Sequence, residues 1–172
     1  AEYDRVRKLV DSAVKELGMN SAAITDHGVM YGVIEFYKTC KAAEINPVIG
    51  CEVYVAPNSR LERETSHGED RYYHLILLAE NNKGYENLMK IVSIGFTEGY
   101  YYRPRVDFET LEKYHEGLIC LSACLAGEIP RYIVRGFYEE AKAIAEKYQA
   151  CFGKDNFFLE RNVILVLLLA YT

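Results

Sequence analysis

The chain has 172 residues, 50% of them hydrophobic and 26% charged, with a formal net charge of -5. That is enough chain for one domain with its own core, and the balance is that of a globular protein. The net charge excludes a global basic field drawing the molecule to nucleic acid or anionic membrane, but not a local basic or metal-lined site.

The first segment, "EYDRVRKLVDSAVKELG", repeats apolar residues at helical spacing from Val6 to Leu17 and stops at Gly18. A short strand, "SAAIT", follows, and "AITDHG" carries Asp26 and His27 where that strand ends. "VIEFYKTCKAAE" is a second helix, and "INPVIGCEVYVAP" contains a β-branched strand. Residues 58–71 are polar and read as an exposed loop. "YYHLILLAE" is a strand and "NKGYENLMKIVSIG" an amphipathic helix; "FTEGYYYRPRVDF" is irregular and leads to a short helix at "FETLEKY". "GLICLSA" is a strand, "GEIPRYIVRG" and "YEEAKAIAEKYQACFG" are helical, and "NFFLE" is a last strand. Strand and helix alternate throughout, which predicts an α/β fold with a parallel sheet, open or wound into a barrel. The chain opens on a helix with no strand before it and ends in the weakly charged "RNVILVLLLAYT", so a piece of a larger domain is expected.

Five cysteines, an odd number, and no secretory opening fit a reducing cytoplasm. The longest apolar run, "VILVLLLA", is far short of the roughly 20 residues that span a bilayer, so no membrane partner is expected.

The polar residues near strands carry the chemistry. Asp26 and His27 end one strand, Glu52 lies in the next, His74 in the following one, and Cys124 just after the one beyond. Ligands gather at the carboxyl edge of parallel sheets. Carboxylate, imidazole and thiolate are the side chains that hold zinc, manganese or iron. A pair of such ions is a standard device for phosphate-ester hydrolysis. Each residue also has a plainer reading. His27 before Gly28 suits a turn, His74 a satisfied sheet histidine, and Cys124 a small buried hydrophobe. Glu52 among valines needs a ligand or an ion-pair role, because an unpaired buried carboxylate is costly. His67 and His115 read as solvated, and Cys40, Cys51 and Cys120 as packing. "YYYRPR", with Arg103 and Arg105, either grips a nucleic-acid backbone or packs under a loop.

The stretches "ITDHGVMYGVIEFYKTCKAA", "PVIGCEVYVAP", "EDRYYHLILLAENNKGYENLMKIVS", "EGYYYRPRVDFETLEKYHEGLICLSACLAGEIPR" and "FGKDNFFLE" resemble a known family. This is the polymerase and histidinol phosphatase (PHP) domain, in the branch at the N-terminus of the bacterial DNA polymerase III alpha subunit. The resemblance runs to Glu160, which makes residues 1–160 the domain and 161–172 a tail outside the family pattern. It implies a distorted (β/α)7 TIM-like barrel with metals at the carboxyl ends of its strands, here incomplete at both ends. By the same resemblance His27, Glu52, His74 and Cys124 are metal-ligand positions, with Glu52 the bridging carboxylate and Asp26 a neighbouring acid that orients the site. Up to three divalent ions, zinc, manganese or iron, occupy an intact family site. The family's opening His-x-His strand would precede this chain, and its later Asp-His ligands are replaced by "RNVILVLLLAYT". Roughly half the ligand set is thus missing.

The implied function is a metal-dependent phosphoesterase or 3′–5′ exonuclease-like module of a replicative DNA polymerase, inactive as this piece. DNA, reached through the parent polymerase, and other replicase subunits are the implied partners. The alternative is a non-catalytic module that stabilises the polymerase and its proofreading partner. A histidinol phosphatase shares the metal motifs but is disfavoured by the extended "GVMYGVIEFYK" and "LSACLAGEIPR" matches.

Overall fold

A computed structural model describes residues 8, 10, 12, 17–63 and 71–161. Most of the first predicted helix, His67 in the polar loop, and the apolar tail beyond Arg161 lie outside the described residues. The strands are β1 (Ser21–His27), β2 (Asn46–Val55), β3 (Tyr73–Ala79), β4 (Tyr100–Tyr101), β5 (Arg103–Val106), β6 (Leu118–Leu121) and β7 (Phe157–Phe158). The helices are α1 (Val33–Ala42), α2 (Asn82–Thr97), α3 (Phe108–Tyr114), α4 (Glu128–Val134) and α5 (Tyr138–Phe152).

β2 is the axis of the sheet. One of its edges pairs antiparallel with β3; the other pairs parallel with β1 from Asn46 to Glu52, then with β5 at Tyr54 and Val55. β3 pairs antiparallel with β6, and β6 parallel with β7. The architecture is mixed α/β, but the all-parallel expectation is corrected: β3 opposes both of its neighbours. A parallel neighbour requires a crossover, usually a helix. The connection from β2 to β3 carries no helix among its described residues. Among the described residues no pairing joins β7 to β1, so the sheet stands open. The "irregular" stretch around residue 100 is also more ordered than its sequence suggests. Tyr100–Tyr101 and Arg103–Val106 form a tight hairpin that turns on Tyr102, at φ 61.

Strand alternation divides the sheet into two faces. Cys51, Val53 and Val55 of β2 join Leu75 and Leu77 of β3 and Cys120 of β6 in a buried core under Leu88 and Ile91 of α2, Leu111 of α3 and Tyr148 of α5. On the same face, Val10, Phe36, Cys40 and Ile45 cover Ala22, Ile24 and Ile49. Cys40, Cys51 and Cys120 are thus packing residues, as their sequence positions imply. Helix starts are fixed locally. Asn81 accepts from the Gly84 N–H at 3.0 Å to open α2, and Asp107 accepts from the Thr110 N–H at 3.0 Å to open α3. Among the described residues no helix is long and apolar enough to cross a membrane.

Candidate metal centre

The other face of the sheet carries the polar residues. Register sets His27 of β1 directly beside Glu52 of β2, and Tyr54 of β2 opposite His74 of β3. Side chains two apart on a strand share a face, so His27, Glu52, Tyr54 and His74 all point away from the helices. The reversed direction of β3 matters here. His74 arrives from the amino end of its strand, so it meets the carboxyl ends of β1 and β2.

Cys124 is brought in by a folded-back loop rather than by a strand. After β6, Ala123 adopts φ 60, the Gly127 N–H bonds the Cys124 carbonyl at 2.8 Å, and the His74 N–H bonds the Ala126 carbonyl at 3.0 Å. A Cβ at Gly127 would sit inside contact distance of the Ser122 carbonyl, so only glycine closes this loop.

Two imidazoles converge on one carboxylate oxygen. Nδ1 of His27 and Nδ1 of His74 lie 2.7 and 2.6 Å from the same oxygen, Oε1 of Glu52. Nδ1 of His74 also lies 3.7 Å from Sγ of Cys124. Donor atoms of Glu52, His74 and Cys124 all fall within 4.8 Å of one another. The Glu52 residue is 8% exposed, and a carboxylate so buried is stable only when its oxygens are engaged. Burial holds the His74 imidazole below the ordinary histidine range; the positive fields of His27, Arg131 and Arg103 add to that and Glu52 opposes it. A neutral imidazole keeps the lone pair that a metal needs. Carboxylate oxygen, imidazole nitrogen and thiol sulfur together fit a borderline-soft divalent ion such as zinc.

The predicted residues do not all meet. His27, Glu52, His74 and Cys124 form one group, with His27 at its exposed outer side. Asp26 is one residue out of phase, on the helix-covered face, with Oδ2 3.2 Å from the place a Cβ on Gly32 would occupy at the foot of α1. His115 ends α3 with its ring edge on Phe152, partly buried rather than freely solvated. Sequence reasoning passed over the aromatic surround. Tyr54 meets the His74 ring edge-on at 5.3 Å and Tyr72 stacks on it at 6.1 Å. Period-two spacing from Glu52 to Tyr54 and from Tyr72 to His74 is the signal that could have found both. Glu160 stands nearby. Its carboxyl is pushed up by burial and by the charge of Glu52, against a bond from the Ala123 N–H.

A family model described as the PHP domain matches residues 3–163. The chain belongs to the PHP domain family. Its PHP domain is similar to the DNA polymerase III subunit alpha of Treponema pallidum, 51% identical over 155 residues, which covers 90% of the chain and 13% of that protein. The protein of the same name from Borreliella burgdorferi is 47% identical over 159 residues, covering 91% and 14%. That of Aquifex aeolicus is 42% identical over 161 residues, covering 91% and 14%. The chain therefore spans 13 or 14% of the length of these relatives.

Proposed function

We propose that this PHP domain belongs to the N-terminal part of a bacterial replicative DNA polymerase alpha subunit, with residues 1–160 forming the domain. Its site is read as a divalent-metal centre of the phosphoesterase type, related to a 3′–5′ exonuclease. The convergence of Glu52, His74 and Cys124 within 4.8 Å carries this reading, because it brings together a carboxylate, an imidazole and a thiol, the three ligand types that zinc sites use. Zinc, manganese or iron suits the set. Glu52, His74 and Cys124 would hold such an ion, which would supply Lewis-acid chemistry for phosphoester hydrolysis. Glu52 supplies the negative charge between two imidazoles and His27 the exposed flank, while Asp26, on the opposite face of the strand, is read as an orienting neighbour and not a ligand. DNA and the other replicase subunits are the partners this reading implies, in the cytoplasm, within a distorted barrel of the family type.

One observation favours a second reading, a structural module of the polymerase. Two imidazoles bonded to one carboxylate oxygen satisfy Glu52 without any ion.

Metal content measured by mass spectrometry on the purified chain, beside Glu52→Gln, His74→Ala and Cys124→Ser, separates the two. We expect bound metal in the parent chain and a loss of at least half in each variant. Equal metal content in all four, or none in the parent, sinks the metal centre in favour of the structural module.

A further inference from the structure

The motif "YYYRPR" contains two arginines with opposite environments. Arg105 is 1% exposed, and its guanidinium donates to the carbonyls of Gly99, Arg71, Arg60 and Glu62 at 3.3, 3.4, 3.3 and 2.5 Å. It ties loops together, as the packing alternative requires. Arg103 is exposed, and its guanidinium lies over the Tyr54 ring, 5.6 Å from the centroid. One residue earlier in the chain, Tyr102 at the hairpin turn is 63% exposed, and the Arg71 guanidinium covers its ring at 4.7 Å.

The Arg103–Tyr54 pair is continuous with the donor cluster. Tyr54 touches Tyr72 edge-on at 4.9 Å, and both rings contact His74. The hairpin is also wedged against the His27 turn. A Cβ at Gly28, where φ is 71, would meet Tyr54 Cε2 at 2.8 Å and Pro104 Cγ at 3.0 Å. The hairpin and the donor cluster therefore keep a fixed relation.

We propose that Arg71, Tyr102 and Arg103, backed by Tyr54 and Tyr72, form a ledge that binds a single-stranded DNA end and leads it to Glu52, His74 and Cys124. Aromatic faces stack on bases without regard to sequence, and guanidinium groups pair with phosphates. Two cation-aromatic pairs in succession match a strand, which repeats phosphate and base, better than they match one free phosphate. With a net charge of -5, a polyanion needs local cations of this kind and not a global field. The proposal rests on the metal-centre reading for where the strand leads, but the ledge itself is built of protein alone.

The test is fluorescence anisotropy of a labelled oligothymidylate of about a dozen residues, titrated with the 172-residue chain in a chelating buffer at several salt concentrations. We expect Arg71→Gln/Arg103→Gln to weaken binding about tenfold or more, and to flatten the log-log salt slope by about 0.7 for each phosphate that is no longer neutralised. Tyr102→Ala weakens binding about fivefold with the slope unchanged. Lys142→Gln, an exposed lysine of α5, leaves both unchanged. Wild-type binding by the double arginine variant overturns the ledge, as does an equal loss in Lys142→Gln or tighter binding of a duplex of the same length. Metal content of the same preparations, measured before chelator is added, keeps the two readings apart. A chain that binds the strand but no metal supports the ledge and overturns the metal centre. A chain that holds metal but binds no strand overturns the ledge alone.

Discussion

The two faces of β2 solve different problems with alternate residues of one strand. Cys51, Val53 and Val55 enter a closed apolar core under the helices, where burial stabilises the fold. Glu52 and Tyr54, interleaved with them, face the donor cluster. The backbone ladder is shared, so packing on the apolar face also holds the polar atoms of the other face in place. The core supplies stability, and Oε1 of the buried Glu52 is engaged by two imidazoles.

The contrast is broken most directly from the core side. Leu77 is fully buried, and Leu77→Ala should cost about 3 kcal/mol by urea unfolding while leaving any bound metal per folded molecule unchanged. Glu52→Gln should do the reverse, shifting stability by less than about 1 kcal/mol, since an amide oxygen still accepts from an imidazole. A Glu52→Gln protein as unstable as Leu77→Ala would show that the polar face is itself part of the structural core.

Asp107 sharpens the comparison, as a buried carboxylate that does stabilise. It accepts from the Arg60 backbone at 2.9 Å, the Thr110 N–H at 3.0 Å and the Thr110 hydroxyl at 2.7 Å, besides the Arg60 guanidinium. Burial alone would raise its carboxyl, but these bonds outweigh it and hold the group below the ordinary aspartate value. A depressed carboxyl contributes stability that is fully present above the unfolded value and is lost as pH falls through the folded one. Asp107→Asn should therefore cost about 2 kcal/mol near neutrality, and the difference from wild type should close below about pH 4. Thermal melts across that range decide it; a gap that persists in acid removes the charge from the explanation.

Glu128 is the polar intruder on the helix-covered side, accepting from the Tyr148 hydroxyl at 3.1 Å. Burial raises its carboxyl, with the Tyr148 bond and Lys147 opposing. A raised carboxyl favours the fold below the unfolded value and loses that advantage as pH rises through the folded value. Glu128→Gln should gain on the order of 1 kcal/mol at neutral pH and nothing below about pH 4. A variant that is less stable at neutral pH would mean that the charge, not the hydrogen bond, holds α4 to α5.

Residue types and spacing alone marked the strands that carry the cluster, drew attention to its four polar residues with their plainer readings still open, and read three cysteines as packing. These are local properties. Apolar period and β-branching mark a strand, and a carboxylate set among valines announces a need for a partner. The sequence could not reveal that β3 runs against its neighbours, because strand direction depends on how the connection crosses the sheet, and that depends on the whole chain. The same reversal delivers His74 to the donor cluster from its strand's amino end. Nor could it separate the near neighbours Arg103 and Arg105, of which one is exposed over Tyr54 and the other buried among carbonyls. Cys124 joined the site through a loop that only Gly127 can close. Chemistry was legible in the sequence because it belongs to single side chains; which of them share a point in space was decided by tertiary structure, because proximity is a property of pairs far apart in the chain.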